Sequence, residues 1–342
     1  MRFGQCLSLI GIIVSIYILW EIRQIILIAF ASVTLATVLN QVVIFLQKFR
    51  IKRGLAIFLT VSFVIMLLGG FLLVVVPRIT QQLQQFTYFF PIAIERIRLW
   101  NDWLVGVLPN TFLENIRDLR YLTQNLETWL NQLLSNFIIF LTTSVNVILG
   151  VLFFLALTIM FMVNTAAYKR GFILLFPAFY RHRINEIMNQ CADSLIGWIK
   201  GTLITMLFIA VSSYLGLIIF QIPLPLVNAL LAGLLEFIPN IGPTLSVIPP
   251  VILALGDEPW KAPLIILWYV VIQQLESFVV LPLAMHSQVA LLPAVTLLSI
   301  VIFGSFFGFL GVFLAVPLVI VLQVFIQEIL IKDVLNNWDN GE

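Results

Sequence analysis

Residues 223–256 read PLPLVNALLAGLLEFIPNIGPTLSVIPPVILALG, and the way this stretch fails to be one helix decides the fold. Nearly every side chain is apolar, so the stretch belongs in a core or a bilayer. Yet Pro239 and Pro243 flank Asn240 and Gly242 at its middle. A proline lacks a backbone donor and its ring collides with the preceding turn, so a continuous helix does not pass through. In hydrocarbon the freed backbone groups must be met by neighbouring protein or by water in a cavity. The stretch therefore predicts a hairpin of two short helices meeting at a polar tip.

A second stretch, residues 292–322, reads LPAVTLLSIVIFGSFFGFLGVFLAVPLVIVL, with Gly304, Gly308, Gly311 and Ser305 at its middle. A shift of 68 residues lays Pro225 on Pro293 and Pro249 on Pro317, and lays the Pro239–Pro243 break on Phe307–Gly311. Few identities match beyond the prolines, so chance likeness between two apolar runs competes with an internal repeat.

The rest of the chain supports a bilayer setting. Of 342 residues 61% are hydrophobic and 10% charged, against roughly 25% charged in soluble domains. The mean hydropathy is +1.10. Apolar segments fall at 7–20, 24–46, 54–77, 136–163, 190–220, 226–256, 262–284 and 291–327, several of them near the roughly 20 residues that one crossing needs. The first resembles a signal sequence but has no small-residue cleavage site after it, so a retained helix is expected. A net charge of +2 without a long basic run argues against nucleic acid. Cys6 and Cys191 suggest neither a disulfide framework nor a metal site.

Orientation follows from the excess of Lys and Arg in cytoplasmic loops. Lys48, Arg50, Lys52 and Arg53 form one basic cluster, and Lys169, Arg170, Arg181 and Arg183 form another. The order of spans puts both on one side, which places the N- and C-termini in the cytoplasm. The expected organisation is membrane helices in 1–77, a helical extracytoplasmic insert at 78–135, a membrane helix at 136–163 and a basic cytoplasmic loop at 164–189. A transport core at 190–330 with broken hairpins 223–256 and 291–327 follows, then a tail at 331–342. The insert carries Leu119, Leu122, Leu126, Leu130 and Leu133 at helical spacing, with Trp100, Trp103 and Trp129 suited to the headgroup level. The fold class is thus an all-α polytopic membrane protein of about eight helical segments, with two inverted, Pro/Gly-broken hairpins in its C-terminal half. Hairpins entering from opposite faces build midplane substrate sites in secondary transporters.

Ionisable groups inside apolar spans cost free energy and are functional candidates. Glu236 precedes the Pro239 break by three residues, and Glu276 follows Gln273 and Gln274 within 262–284. Either carboxylate faces a cation or substrate, or else satisfies its own broken segment. Asn240, the carbonyls around Gly242, Ser246 and Ser305 add oxygens for a small cation. Asp193 and Lys200 lie near a cytoplasmic end where long side chains snorkel. His286, in the turn His286–Ser287–Gln288, and His182 read as loop residues. No carboxylate cluster has metal-ligand spacing and no cofactor is expected. HExxH, GxSxG and P-loop motifs are absent, so an enzyme is not expected.

At the hairpins the sequence resembles the AI-2E family, the autoinducer-2 exporter-like or PerM-like permeases. The residues that carry the resemblance are Gly233 to Pro243 (GLLEFIPNIGP), Ile248–Pro249, Gln274–Leu275–Glu276 and Pro282. Leu292–Pro293, Gly304, Phe307–Gly308, Gly311 and Ala315–Val316–Pro317 complete the set. The chain departs from the family pattern at Thr202, Asn240 and the turn Met285–Gln288. The resemblance implies a multi-pass protein of the bacterial inner membrane that exports a small solute or signalling molecule, or exchanges sodium for protons. The expected function is a secondary transporter with a midplane site between the two hairpins. Its partners are a small-molecule or monovalent-cation substrate, the lipid bilayer and further copies of the chain in a homo-oligomer. The alternative is an oligomeric channel or membrane scaffold without active transport.

Overall fold

The computed structural model describes residues 17–67, 144–239, 241–284 and 292–336, with isolated positions between 11 and 15 and between 69 and 99. Within these residues the chain is helical and contains no strand. Four of the described helices are long and apolar enough to cross a bilayer: Arg23–Lys48, Ala178–Ile219, Lys261–Leu283 and Phe309–Leu335. A fifth crossing arises if Leu149–Val163 and Thr165–Leu174, bent by 86° at their junction, act as one. Leu119, Leu122, Leu126, Leu130, Leu133, Trp100, Trp103 and Trp129 of the 78–135 insert, Asn240 and the turn His286–Gln288 lie outside the described residues.

Two compact units divide the chain, one of Met1–Ile65, Leu152–Lys200 and Met285–Glu342, the other of Met66–Val151 and Gly201–Ala284. The first unit takes in the second broken stretch, and the second unit takes in the first.

In the first unit α1 (Arg23–Lys48) and α2 (Arg53–Leu67) pack on α3 (Ser144–Val163) through Ala36, Val43, Ala56, Ile57 and Met162. Small side chains let the backbones approach, as in membrane helix pairs generally. Ser32 donates to Ile28 O at 2.8 Å and to Phe154 O across the interface at 3.2 Å. Buried Thr60 and Thr158 return their hydroxyls to their own helices, which hides polarity from lipid. Arg53 donates to Met162 O at 2.9 Å and so meets a carbonyl at the open end of α3.

The basic stretch 164–189 is largely helical. It forms α4 (Thr165–Leu174), a 3₁₀ turn at Ala178–Tyr180 and the start of α5 (Arg181–Ile219). The basic residues that marked it as water-facing are good helix formers, so they report solvent rather than irregular backbone.

α9 (Pro293–Phe307) and α10 (Phe309–Phe325) form a helical pair joined by one residue, Gly308, at φ +64° and ψ −143°. That conformation is essentially reserved for glycine. Gly304 and Gly311, read with it as the break, lie within the two helices. A Cβ on Gly311 would sit 1.9 Å from Phe303 O, so the glycine permits a backbone contact that closes the pair. Pro293 opens α9, where its missing donor costs nothing.

α10 continues as a π-helical segment, Ile326–Leu335, which reaches into the stretch read as the tail at 331–342. Ile184, Ile187 and Cys191 of α5 pack there on Val324. Arg183 seals the contact through Glu328 at 2.8 Å and Asp333 at 3.0 Å, while Tyr180 donates to Asp333 at 2.6 Å. Glu328 is 5% exposed and also pairs with Lys332. Removing one partner of such a group strands the other charge. Arg183→Met is expected to destabilise this unit by about 2 kcal/mol, less than a fully buried pair because Arg183 touches solvent. Thermal unfolding in detergent measures it, and an unchanged midpoint would dismiss the clamp as decoration.

In the second unit the C-terminal half of α5 packs on α6 (Pro225–Leu235), α7 (Ile241–Gly256) and α8 (Lys261–Leu275) around Ile209, Leu217, Ala232, Leu253, Ile265 and Ile272. Gln221 and Leu224, in the link into α6, have φ of 53° and 59°, a region that non-glycine residues seldom enter. α6 stops at Leu235 and α7 resumes at Ile241, so Pro239 lies in the intervening turn and Pro243 in the first turn of α7. A Cβ on Gly242 would fall 1.9 Å from Leu235 O. Leu235 and Phe303, the two carbonyls approached in this way, are 68 residues apart, the same shift that aligns the prolines.

Candidate functional site

α6 ends on Glu236 because the chain must turn before Pro239, and the turn is held by Ile238 N donating to Leu235 O at 3.0 Å. Gly242 N donates to Ile238 O at 2.9 Å and starts α7. Glu236 thus stands at a helix end, yet it is 5% exposed and its Oε2 has no hydrogen-bond partner.

The second carboxylate comes from α8. Pro282 lacks a donor and would crowd the carbonyl one α-turn before it. The helix widens ahead of it into a π-helical turn, Glu276–Val280, with Leu281 N bonding back to Glu276 O, and then closes as Leu281–Ala284. Single π-turns of this kind recur at functional sites. Glu276 opens the turn, is 6% exposed and accepts a bond from Gln273 Nε2 at 2.6 Å.

The Glu236 and Glu276 carboxyls lie within hydrogen-bonding reach of each other. Among the described residues no Lys or Arg pairs with either. Lys261, the buried cation of this unit, sits at the far end of α8 beside Glu258 at 3.3 Å and Asp257 at 3.9 Å. Two buried carboxyls this close need something positive between them, because desolvated charge is stable only when matched. A shared proton or a monovalent cation would meet that need.

Of the residues singled out from sequence, the structure brings Glu236, Gly242, Gln273 and Glu276 to one place. Gln274 points away and is exposed on α8, while Ser305 belongs to the other unit, is exposed and donates to Val301 O at 2.8 Å. Ser246 is buried with its hydroxyl on Pro243 O at 2.8 Å. Asp193 and Lys200 are both exposed on α5.

Three polar residues of this unit escaped the sequence reading: Ser213, Asn228 and Tyr269. Each is buried, and Ser213 Oγ, Asn228 Oδ1 and Tyr269 Oη lack hydrogen-bond partners. The available signal was register. Asn228 stands eight residues before Glu236, and Tyr269 seven before Glu276, so each shares a helix face with its carboxylate.

A family model described as an AI-2E family transporter matches residues 7–331. The chain is 28% identical to the "Putative transport protein YueF" of Bacillus subtilis over 309 residues, covering 85% of this chain and 80% of that protein. It is 24% identical to a "Putative transport protein" of Thermotoga maritima, over 85% of this chain and 84% of the other. The match to the "Putative permease PerM" of Escherichia coli is 27% identical and covers 46% of this chain and 42% of that protein.

Proposed function

The chain belongs to the AI-2E family of transporters, and on that premise we propose that it is a secondary transporter whose coupling site is the Glu236–Glu276 pair. The single observation that carries this is the pair itself: two buried carboxyls at a helix break, one oxygen unpartnered, with no cationic side chain beside them among the described residues. Intramembrane carboxylates in such settings bind or relay the ion that drives transport. Gln273 fixes the Glu276 carboxyl, and Gly242 lets the turn of the first hairpin close beside Glu236.

The loop charges assign the sides. The Asp257–Glu258 turn faces the exterior, so α6 and α7 enter from outside and carry Glu236 toward the midplane. Both termini lie in the cytoplasm, and the membrane is the bacterial inner membrane. The occupant is a proton or monovalent cation exchanged for a small solute, a signalling molecule or a second cation, with efflux the favoured direction.

Purified protein in liposomes loaded with a pH-sensitive dye tests the reading. An imposed sodium gradient, or a gradient of candidate solute, is expected to drive saturable proton movement. No movement for any cation or solute offered, from protein with intact helicity, would defeat the proposal. Unitary currents in planar bilayers would instead favour a pore.

A further inference from the structure

The unpartnered atoms of Ser213, Asn228 and Tyr269 call for an account, because buried polar groups in native proteins nearly always have partners. Three orphans in one unit are not scattered. α5 runs into α6 through residues 220–224 and α7 into α8 through 257–260, so the end of α5, the start of α6, the end of α7 and the start of α8 share one side. Measured from that side at 1.5 Å per residue, Asn228 lies about 5 Å deep, Ser213 about 9 Å and Tyr269 about 12 Å. Glu236 and Glu276 follow at about 16 and 22 Å. The orphans are thus graded in depth between the Asp257–Glu258 loop and the carboxylate pair.

The α5–α8 contact is built so that two of them meet. Gly216 has no side chain, and a Cβ there would lie 1.9 Å from Trp268 Nε1. The indole occupies that gap and donates to Ser212 O at 3.1 Å. Docking Trp268 on Ser212 brings the next residue of each helix, Tyr269 and Ser213, within reach of each other. Their hydroxyls nevertheless form no bond of good geometry. Asn228 uses its Nδ2 on Pro223 O and Leu224 O, both at 3.3 Å, and leaves Oδ1 unpartnered. Each residue therefore has one polar atom left over. Water is the partner that buried groups of this kind take up.

We propose that Asn228, Ser213 and Tyr269 form a hydrated access path joining the Asp257–Glu258 side of the unit to the Glu236–Glu276 pair. Water held on these three groups carries a proton or small cation to the carboxyls and away from them. The destination of the path rests on the coupling role proposed for the pair, but its hydration does not.

Hydration is measured directly by thiol labelling. In a Cys6→Ser, Cys191→Ser background, Ser213→Cys, Asn228→Cys and Leu217→Cys are each treated in membranes with a charged, membrane-impermeant methanethiosulfonate. Leu217 is the control, being 1% exposed on the same helix and nearer the helix end than Ser213. Thiolate, the reacting form, develops only where water reaches the sulfur, so Ser213→Cys and Asn228→Cys should label at least about ten times faster than Leu217→Cys. Equal rates at Ser213 and Leu217 would overturn the path. In the liposome assay Tyr269→Phe should slow flux about fivefold, the factor that about one net hydrogen bond is worth, at unchanged half-saturation. Unaltered flux in Tyr269→Phe would remove that residue from the path. If labelling follows the expected pattern while Glu236→Gln transports normally, the path stands and the coupling role of the pair falls.

Discussion

Glu236→Gln should abolish coupled transport while leaving the protein as stable as before, or more stable. The substitution keeps the shape of the side chain and removes its ability to carry a charge or exchange a proton. Losing a charged ligand worth about 3 kcal/mol corresponds to about a hundredfold drop in ion-driven flux. Stability should move the other way, because a neutral amide in this buried position is not penalised as a carboxylate without a cation is. The amide also brings donors that the Glu276 carboxyl can accept. A residue that only held the hairpin together would show the reverse: lower thermal stability and normal flux per folded molecule. Measuring both quantities on one preparation separates the two roles. Flux and pH dependence indistinguishable from the parent would exclude Glu236 as the coupling group.

The second large effect is expected at Gly242 and Gly311, where the helix pairs α6–α7 and α9–α10 come closest. Gly242→Ala would place a methyl group 1.9 Å from Leu235 O, and Gly311→Ala would place one 1.9 Å from Phe303 O. In both cases the obstacle is backbone, which cannot rotate aside as a side chain can. Ordinary overpacking costs about 1–3 kcal/mol, and these two sites should reach or exceed the upper value. Gly308→Ala offers a useful contrast. Open space surrounds that position, so its penalty, about 1–3 kcal/mol, is one of backbone conformation. Thermal unfolding of the three variants in detergent checks the ranking. Tolerance of Gly242→Ala would mean that the pair α6–α7 does not close as described.

Much of this was legible in the amino-acid order, and what was not has physical reasons. Length and apolarity alone locate α1, α5 and α8, since few alternatives exist for such segments in lipid. The break after Glu236 was readable because proline acts locally: its missing donor interrupts any helix. The break at Gly308 was readable only to within three glycines. Glycine permits a positive φ without requiring it, and the choice depends on which backbone atoms approach across the pair. Glu236 and Glu276 stood out as carboxylates in apolar runs. Their meeting did not, since it depends on how α7 packs on both α6 and α8 and on the π-turn ahead of Pro282. Ser213, Asn228 and Tyr269 were invisible because such residues are ordinary in helices, and only tertiary structure leaves their polar atoms without partners.

The close contact between α6 and α7 has a mechanical consequence. With Gly242 pressed on the Leu235 carbonyl, α6 and α7 cannot slide along each other without a collision, so the pair resists shear and must travel as a stiff arm. A stiff arm moves by swinging about a joint, and a joint is where the backbone already departs from ordinary conformations. Gln221 and Leu224, both left-handed, occupy that position at the root of α6. The carboxylate at the tip would then be raised or lowered by a few degrees of rotation more than 10 residues away, with no change in the hairpin itself.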